Sequence, residues 1–258
     1  MNRFSRETYD SMPWAQGGTL LFSKPRYEQI HALKLVPKED RLPMFSEFYE
    51  LQEYLDLAAN LPPGRMLDAG AGSGSLSYLF AHMGWDVTSC DHDKSAFLYR
   101  DGKFMSVDLN KDWPFDSGFF NLIVCKQVIE HLENPNHWFR QVSRLSKRGG
   151  MVILSTPNIA SLAGRLAFLR SGQLAYFESY WADHRTILHY GQLKSMFEEC
   201  LFQDVRFHTN RYELYNMNAD VNGKRMRFLS PVLKMIASRK TPEACRYGQF
   251  IIVSATRS

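Results

Sequence analysis

Leu67-Asp68-Ala69-Gly70-Ala71-Gly72-Ser73-Gly74 decides how the rest of this chain is read. The stretch continues an apolar run from Met66, and its three glycines alternate with small residues. Leu76, Leu79, Phe80 and Met83 then recur at helical spacing until Gly84 stops them. The pattern predicts a strand, a glycine turn and a helix. Glycine suits the turn because a backbone passing close under a ligand has no room for Cβ, and tight turns often need a positive φ. The helix that follows points unpaired N–H groups at the turn, where an anionic part of a ligand can settle.

A dinucleotide-binding turn wants Gly-x-Gly-x-x-Gly, whereas the spacing here is Gly-x-Gly-x-Gly with Asp68 two residues ahead. Landmarks downstream separate the two. Val87 to Cys90 reads as a second strand ending in Asp91, well placed to accept hydrogen bonds from ribose hydroxyls. Val107-Asp108-Leu109 closes a third strand and puts a carboxylate where an adenine amino group can be read. Phe119 to Cys125 is a continuous apolar fourth strand, as a parallel sheet covered on both faces requires. Over roughly residues 41–258, this ordered set resembles the class I S-adenosylmethionine-dependent methyltransferases. The resemblance implies S-adenosylmethionine as cofactor in place of a nicotinamide dinucleotide. It also implies cofactor contacts from Asp68, Gly70, Gly72, Gly74, Asp91, Asp108, Leu109, Lys126 and Gln127.

With 258 residues, 45% of them hydrophobic, the chain can bury a full core as one elaborated domain. No apolar run approaches the length of a membrane span, and Met1 to Glu7 lacks the apolar segment of a secretory signal. Cys90, Cys125, Cys200 and Cys245 are scattered, with no Cys-x-x-Cys pair, and read as buried free thiols. A cytoplasmic protein is expected. The net charge of +4 does not by itself indicate nucleic acid.

Residues 1–43 read as an N-terminal extension, either closing over the cofactor or packed on the domain surface. Residues 44–258 read as the methyltransferase domain, with insertions at about 158–183 and 210–246. A helical stripe from Phe45 to Ala59 stops before Pro62-Pro63-Gly64. Asn134 caps a helix with Pro135 at its first position and Trp138, Val142 and Leu145 on its apolar face. Arg140, Arg144, Lys147 and Arg148 read as its solvated C-terminal end, closed by Gly149. Met151 to Ser155 makes the fifth strand, Leu193 to Leu201 a late helix, and Asp204 to His208 and Gln249 to Ala255 two more strands. The alternation predicts an α/β, doubly wound Rossmann-like sheet, mostly parallel, with helices on both faces. The family resemblance implies that the last strand runs antiparallel.

The first insertion carries Leu162, Leu166 and Leu169 with Arg165 and Arg170 between them. In the second, Gly223 to Lys240 holds six basic residues and no acidic one, and Ser230-Pro231 can start a helix there. Such a basic amphipathic helix can rest on an anionic membrane, giving peripheral contact at its inner face, or embrace a lipid-like acceptor. It can equally serve as a lid on its own domain.

In open α/β sheets the ligand lies beyond the carboxyl ends of the strands, so the loop after the fourth strand faces the transferred methyl. It reads Lys126-Gln127-Val128-Ile129-Glu130-His131-Leu132-Glu133. This loop resembles those of the ubiquinone-biosynthesis O-methyltransferases and the small-RNA 3′-terminal 2′-O-methyltransferases. Those families carry Glu-x-x-Glu-His followed by a later Asp/His pair. Glu130 and His131 match the second Glu and the His, and Ala182-Asp183-His184-Arg185 resembles the later segment. In those families the cluster can hold a divalent cation, usually magnesium. Here Gln127 stands where the first acid would be, which weakens such a site for a hard cation, so no metal ligand set is assigned.

The expected chemistry follows from the reagent. Its sulfonium already activates the methyl, so the protein must align an acceptor and remove its proton. His131 suits a general base, Glu130 can orient it, and His184 can bind the acceptor or act as an alternative base. The expected activity is O-methylation of a small or lipid-linked hydroxylated acceptor, such as a quinone precursor or a glycan. RNA 2′-O-methylation would want a continuous basic groove with exposed aromatics, and the aromatics here lie mostly on apolar stripes. A non-catalytic cofactor-binding scaffold is the remaining alternative, against which the intact glycine loop, Asp91, Glu130 and His131 count.

Overall fold

The computed structural model describes residues 2–3, 21–22, 48–174, 183–208, 241–246, 248 and 250–258. Nearly all of the extension at 1–43 lies outside these residues, as does the basic stretch 223–240. Of the extension, the short antiparallel pair Asn2–Arg3 with Leu21–Phe22 is described.

Helix α1 (Phe48–Ala58) leads past Pro62-Pro63-Gly64 into β1 (Arg65–Ala69), and α2 (Ser75–His82) follows the glycine turn. Then come β2 (Asp86–Asp91), β3 (Lys103–Ser106), β4 (Phe120–Lys126), α3 (Pro135–Leu145) and β5 (Ser146–Pro157). Helix α4 (Leu162–Ser171), α5 (Tyr190–Glu199), β6 (Phe202–His208) and β7 (Phe250–Arg257) complete the described elements. The strands form one sheet in the order β3-β2-β1-β4-β5-β7-β6. Strands β1 to β5 pair in parallel, and β7 runs antiparallel to both β5 and β6, as expected.

Strand β4 shows why its run from Leu122 to Cys125 is apolar without a break. Leu122 and Val124 face a core shared with Leu51, Tyr54, Leu79 and Phe80 of α1 and α2. Ile123 and Cys125 face the other core, built with Trp138, Phe139, Val142 and Phe197 of α3 and α5. Alternate side chains enter opposite cores, so neither face is free to be polar. Order in the sheet reverses between β1 and β4, which opens a crevice at their carboxyl ends. All four cysteines are free thiols; Cys90, Cys125 and Cys245 are buried and Cys200 is half-buried. Among the described residues no helix is long and apolar enough to cross a membrane.

Three expectations change. The third strand stops at Ser106, not Leu109. The Val107 N–H still reaches the Asp91 carbonyl, but Asp108 then turns the chain by accepting from the Asn110 N–H. Helix α3 does not run on to Gly149. It ends at Leu145, Ser146 turns extended and returns its hydroxyl to the Val142 carbonyl, and β5 begins at once. Gly149 (φ 75°) and Gly150 instead sit where the register slips, with Phe120 opposite Ser146 but Leu122 opposite Met151. A Cβ on Gly150 would lie 2.9 Å from the Lys147 carbonyl oxygen, so the bulge needs glycine there.

Arg144 is the third correction, for it is not a solvated helix end. Its guanidinium donates to the carbonyls of Phe115 and Trp113 and to Gln141 Oε1. Those carbonyls belong to an irregular loop, and a fixed fork of donors satisfies them together.

The ends of the segments 158–183 and 210–246 that are described are knit together. The buried Asn158 amide donates to the carbonyls of Cys245 and Gly248, and Arg165 of α4 donates to Ala160 O and Thr241 Oγ1. Ser161 caps α4 by accepting from the Gly164 N–H. The apolar residues of α4 do not all turn inward: Phe168 and Leu169 are exposed.

Candidate active site

The glycine turn folds back on the end of β2. Gly70 and Ala71 both donate to the Cys90 carbonyl, and the Gly72 N–H donates to Asp91 Oδ2 at 2.9 Å. All three glycines have positive φ, but their surroundings differ. A Cβ on Gly70 would sit 2.2 Å from Val128 of the loop after β4, and one on Gly74 would strike Phe97. A Cβ on Gly72 would meet nothing, because it would project into open cleft. This is the cradle that a ligand approaching the backbone needs.

Asp68 and Asp91 hold opposite sides of the turn. Asp68, 1% exposed, accepts the backbone N–H and the hydroxyl of Ser77 in α2 on Oδ2. Burial pushes its carboxyl up to about 6, and Asp91 adds to the rise while Ser77 and Lys126 oppose it. Asp91 Oδ1 faces His92 Nδ1 at 2.8 Å and also accepts from the Asp93 N–H. Asp108 faces Lys111 at 3.1 Å, and its carboxyl is held down by the Asn110 N–H and by Lys111. Leu109 is buried beside it. Gln127 carries φ 54°, unusual for a residue with a side chain, and donates its amide to Ser155 Oγ.

Beyond Gln127, a short helical turn (Ile129–His131) presents the catalytic candidates. Glu130 is fully buried and accepts from Thr156 Oγ1 at the end of β5. His131 Nδ1 lies 3.2 Å from Asp183 Oδ2, and its ring meets that of His184 edge-on at 4.7 Å. The segment from Asp183 is laced onto this turn. Arg185 and Thr186 donate their N–H groups to the Glu130 carbonyl, Thr186 Oγ1 donates to Leu132 O, and Arg185 pairs with Glu133. Burial lowers the basicity of the His131 imidazole, the neighbouring His184 lowers it further, and Asp183 partly restores it. Together these effects favour the neutral imidazole, the form in which a base acts.

Every sequence-expected residue except Gly74 lines one cleft of about 1360 Å³. Gly74 sits behind it as the cap of α2. That volume exceeds a usual small-ligand pocket, leaving room for a cofactor and an acceptor together. The sequence points to Glu130 as the group that orients His131, whereas it is Asp183 that lies at His131 Nδ1, with its carbonyl oxygen at 3.3 Å and a carboxylate oxygen at 3.2 Å. Its one signal in the sequence is its place beside His184.

The open space over Gly72, the Asp91 carboxylate and the apolar wall of Val107 and Leu109 suit a nucleoside-bearing cofactor. A magnesium ion is a different matter. Glu130, His131 and His184 offer donor atoms that all lie within 4.8 Å of one another, but this is one carboxylate and two imidazoles. Magnesium prefers oxygen ligands, and the set does not suit it.

A protein-family model described as a methyltransferase domain matches residues 44–206. The chain belongs to that family. It is an S-adenosylmethionine-dependent methyltransferase. Among curated relatives, the ubiquinone biosynthesis O-methyltransferase of Xanthomonas campestris pv. campestris is 31% identical over 135 residues. That match covers 48% of this chain and 55% of the relative, so the chain spans about half its length. A SAM-dependent methyltransferase from Archaeoglobus fulgidus shares the fold at a TM-score of 0.59 and 17% identity, over 85% of this chain and 97% of that one. Phosphoethanolamine N-methyltransferase 2 of Haemonchus contortus, solved with S-adenosyl-L-methionine, matches at a TM-score of 0.55 and 17% identity, over 80% and 52%.

Proposed function

We propose that this methyltransferase acts on oxygen, methylating a small or lipid-linked hydroxylated acceptor with His131 as general base. A quinone precursor or a glycan represents the acceptor class. The carrying observation is an imidazole in the cleft wall whose Nδ1 faces Asp183. With Nδ1–H donated to the Asp183 main-chain carbonyl at 3.3 Å, beside the Asp183 carboxylate, the Nε2 lone pair is the free acceptor for a hydroxyl proton. The resemblance to the Xanthomonas O-methyltransferase supports the same reading. A lipid-linked acceptor would also suit the basic stretch 223–240, where a peripheral membrane contact belongs to this proposal.

Bound in the turn above Gly72, S-adenosylmethionine supplies a methyl already activated by its sulfonium. The residues of this chain do the rest. Gly72 and Asp91 would hold its ribose side, Val107 and Leu109 its base, and Lys126 and Gln127 its other end. His131 would take the acceptor proton, Asp183 would keep the imidazole in the correct tautomer, and His184 would steady the acceptor oxygen.

The test is intact-mass profiling of cell extracts supplied with isotopically labelled S-adenosylmethionine and the protein. A labelled product whose methyl sits on oxygen is expected, and a methyl found only on nitrogen or carbon would sink the proposal. With that product in hand, kcat/KM should fall as pH drops through a value below 6.5, where His131 gains its proton, and stay level above it. An acid limb lying above 6.5 would remove His131 from the role.

A further inference from the structure

Asp68 carries more than its bond to α2. Both donors of Ser77 converge on Oδ2, at 3.1 Å from the N–H and 2.6 Å from the hydroxyl. The Ser77 hydrogen being used there, Ser89 donates to Ser77 Oγ across 2.7 Å. The second oxygen, Oδ1, takes no hydrogen bond from any described residue, although the side chain is almost wholly buried and belongs to the cleft wall. A carboxylate half-satisfied from behind and open toward a ligand cavity is costly to ionise in the empty site. A positive charge in the cavity would remove that cost.

Resting on the cofactor reading above, we propose that Asp68 selects for the cationic cofactor and gives up its proton to solvent as that cofactor enters. Capture of S-adenosylmethionine is then coupled to proton release. The groups facing Asp68 are consistent with such a device. From β2 come Asp91, which disfavours its ionisation, and the Cys90 thiol; from β4 come Lys126, which favours it, and the Cys125 thiol. Burial keeps both thiols protonated, so they add no charge. Lys126 and Asp91 oppose one another, and Asp68, at about 6, is left close to half-protonated in mildly acidic solution. The cofactor carries two cations, the sulfonium and the α-ammonium of its amino-acid end, and either could be the partner.

Titration calorimetry of the whole protein in two buffers of different ionisation enthalpy reads the proton directly. Near pH 6, S-adenosylmethionine should release about half a proton per site, and near pH 8 almost none, because Asp68 is already ionised. S-adenosylhomocysteine keeps the ammonium but lacks the sulfonium, and 5′-methylthioadenosine lacks both. Release with the first two ligands assigns the ammonium, release with S-adenosylmethionine alone assigns the sulfonium, and 5′-methylthioadenosine should release nothing. Asp68→Asn should abolish the release and weaken S-adenosylmethionine binding roughly tenfold near pH 8. It should leave 5′-methylthioadenosine affinity unchanged, which also reports an intact cleft. Binding without proton release near pH 6, or the same release from Asp68→Asn, overturns the inference and leaves the cofactor standing. Failure of S-adenosylmethionine to bind at any pH overturns both.

Discussion

His131→Ala is expected to lower turnover by about 10²–10⁴ while cofactor affinity stays at the wild-type value. The loss corresponds to about 3–5 kcal/mol of barrier, which is what a positioned base supplies. Affinity is spared because His131 stands on the turn after β4, past the residues that cradle the cofactor. The residual rate should climb with pH, since an ionised acceptor no longer needs the imidazole. Single-turnover kinetics with calorimetric affinity measurements separate the two effects. Chelator should change nothing in the wild type, in keeping with a donor set that does not suit magnesium. Near wild-type turnover in His131→Ala would leave alignment alone to account for catalysis.

A change at Gly72 should do the reverse. Gly72→Val is expected to abolish measurable binding of S-adenosylmethionine while the protein stays folded. A side chain there meets no protein atom, so its branched carbons occupy cleft that the ligand needs. The positive φ of 50° adds a local strain of about 1–2 kcal/mol, too little to unfold the domain. Gly70→Ala is the contrasting case. Its Cβ would collide with Val128 at 2.2 Å, pressing on the turn that carries Glu130 and His131. It should lower stability by about 2–4 kcal/mol and turnover with it. Thermal melting and calorimetry distinguish the two variants, and unaltered affinity in Gly72→Val would refute the cradle.

The features that were legible in the sequence are those set by local chemistry. The glycine turn, the acid closing β2 and the Asn134-Pro135 helix start each depend on neighbours a few residues away, and all occur where expected. What was misread depends on distant partners. Gly149 looks like a helix stop because positive φ serves a helix end and a strand bulge equally; only its pairing with Phe120 and Leu122 tells them apart. Arg144 looks like a solvated charge until the carbonyls of Trp113 and Phe115 are brought to it. Asp183 is 52 residues from His131, and its place beside His184 does not by itself mark it as the group at Nδ1.

The carboxyl buried under the glycine turn also sets how the empty protein responds to acid. Burial on folding raises the Asp68 carboxyl from 3.8 to about 6, so its ionised form costs the native state about 3 kcal/mol. The favourable contribution of the protonated group is complete below pH 3.8 and is lost as pH rises through about 6. Near neutrality, then, the ligand-free chain carries a liability that an uncharged isostere would lift. In urea denaturation without ligand, Asp68→Asn should be more stable than wild type near pH 7.5 by up to about 3 kcal/mol. That margin should shrink as the solution is acidified. An equal margin at both ends of the range would mean that the carboxyl does not titrate with folding. The chain keeps an acid that weakens it when empty, at the place where its reagent must enter.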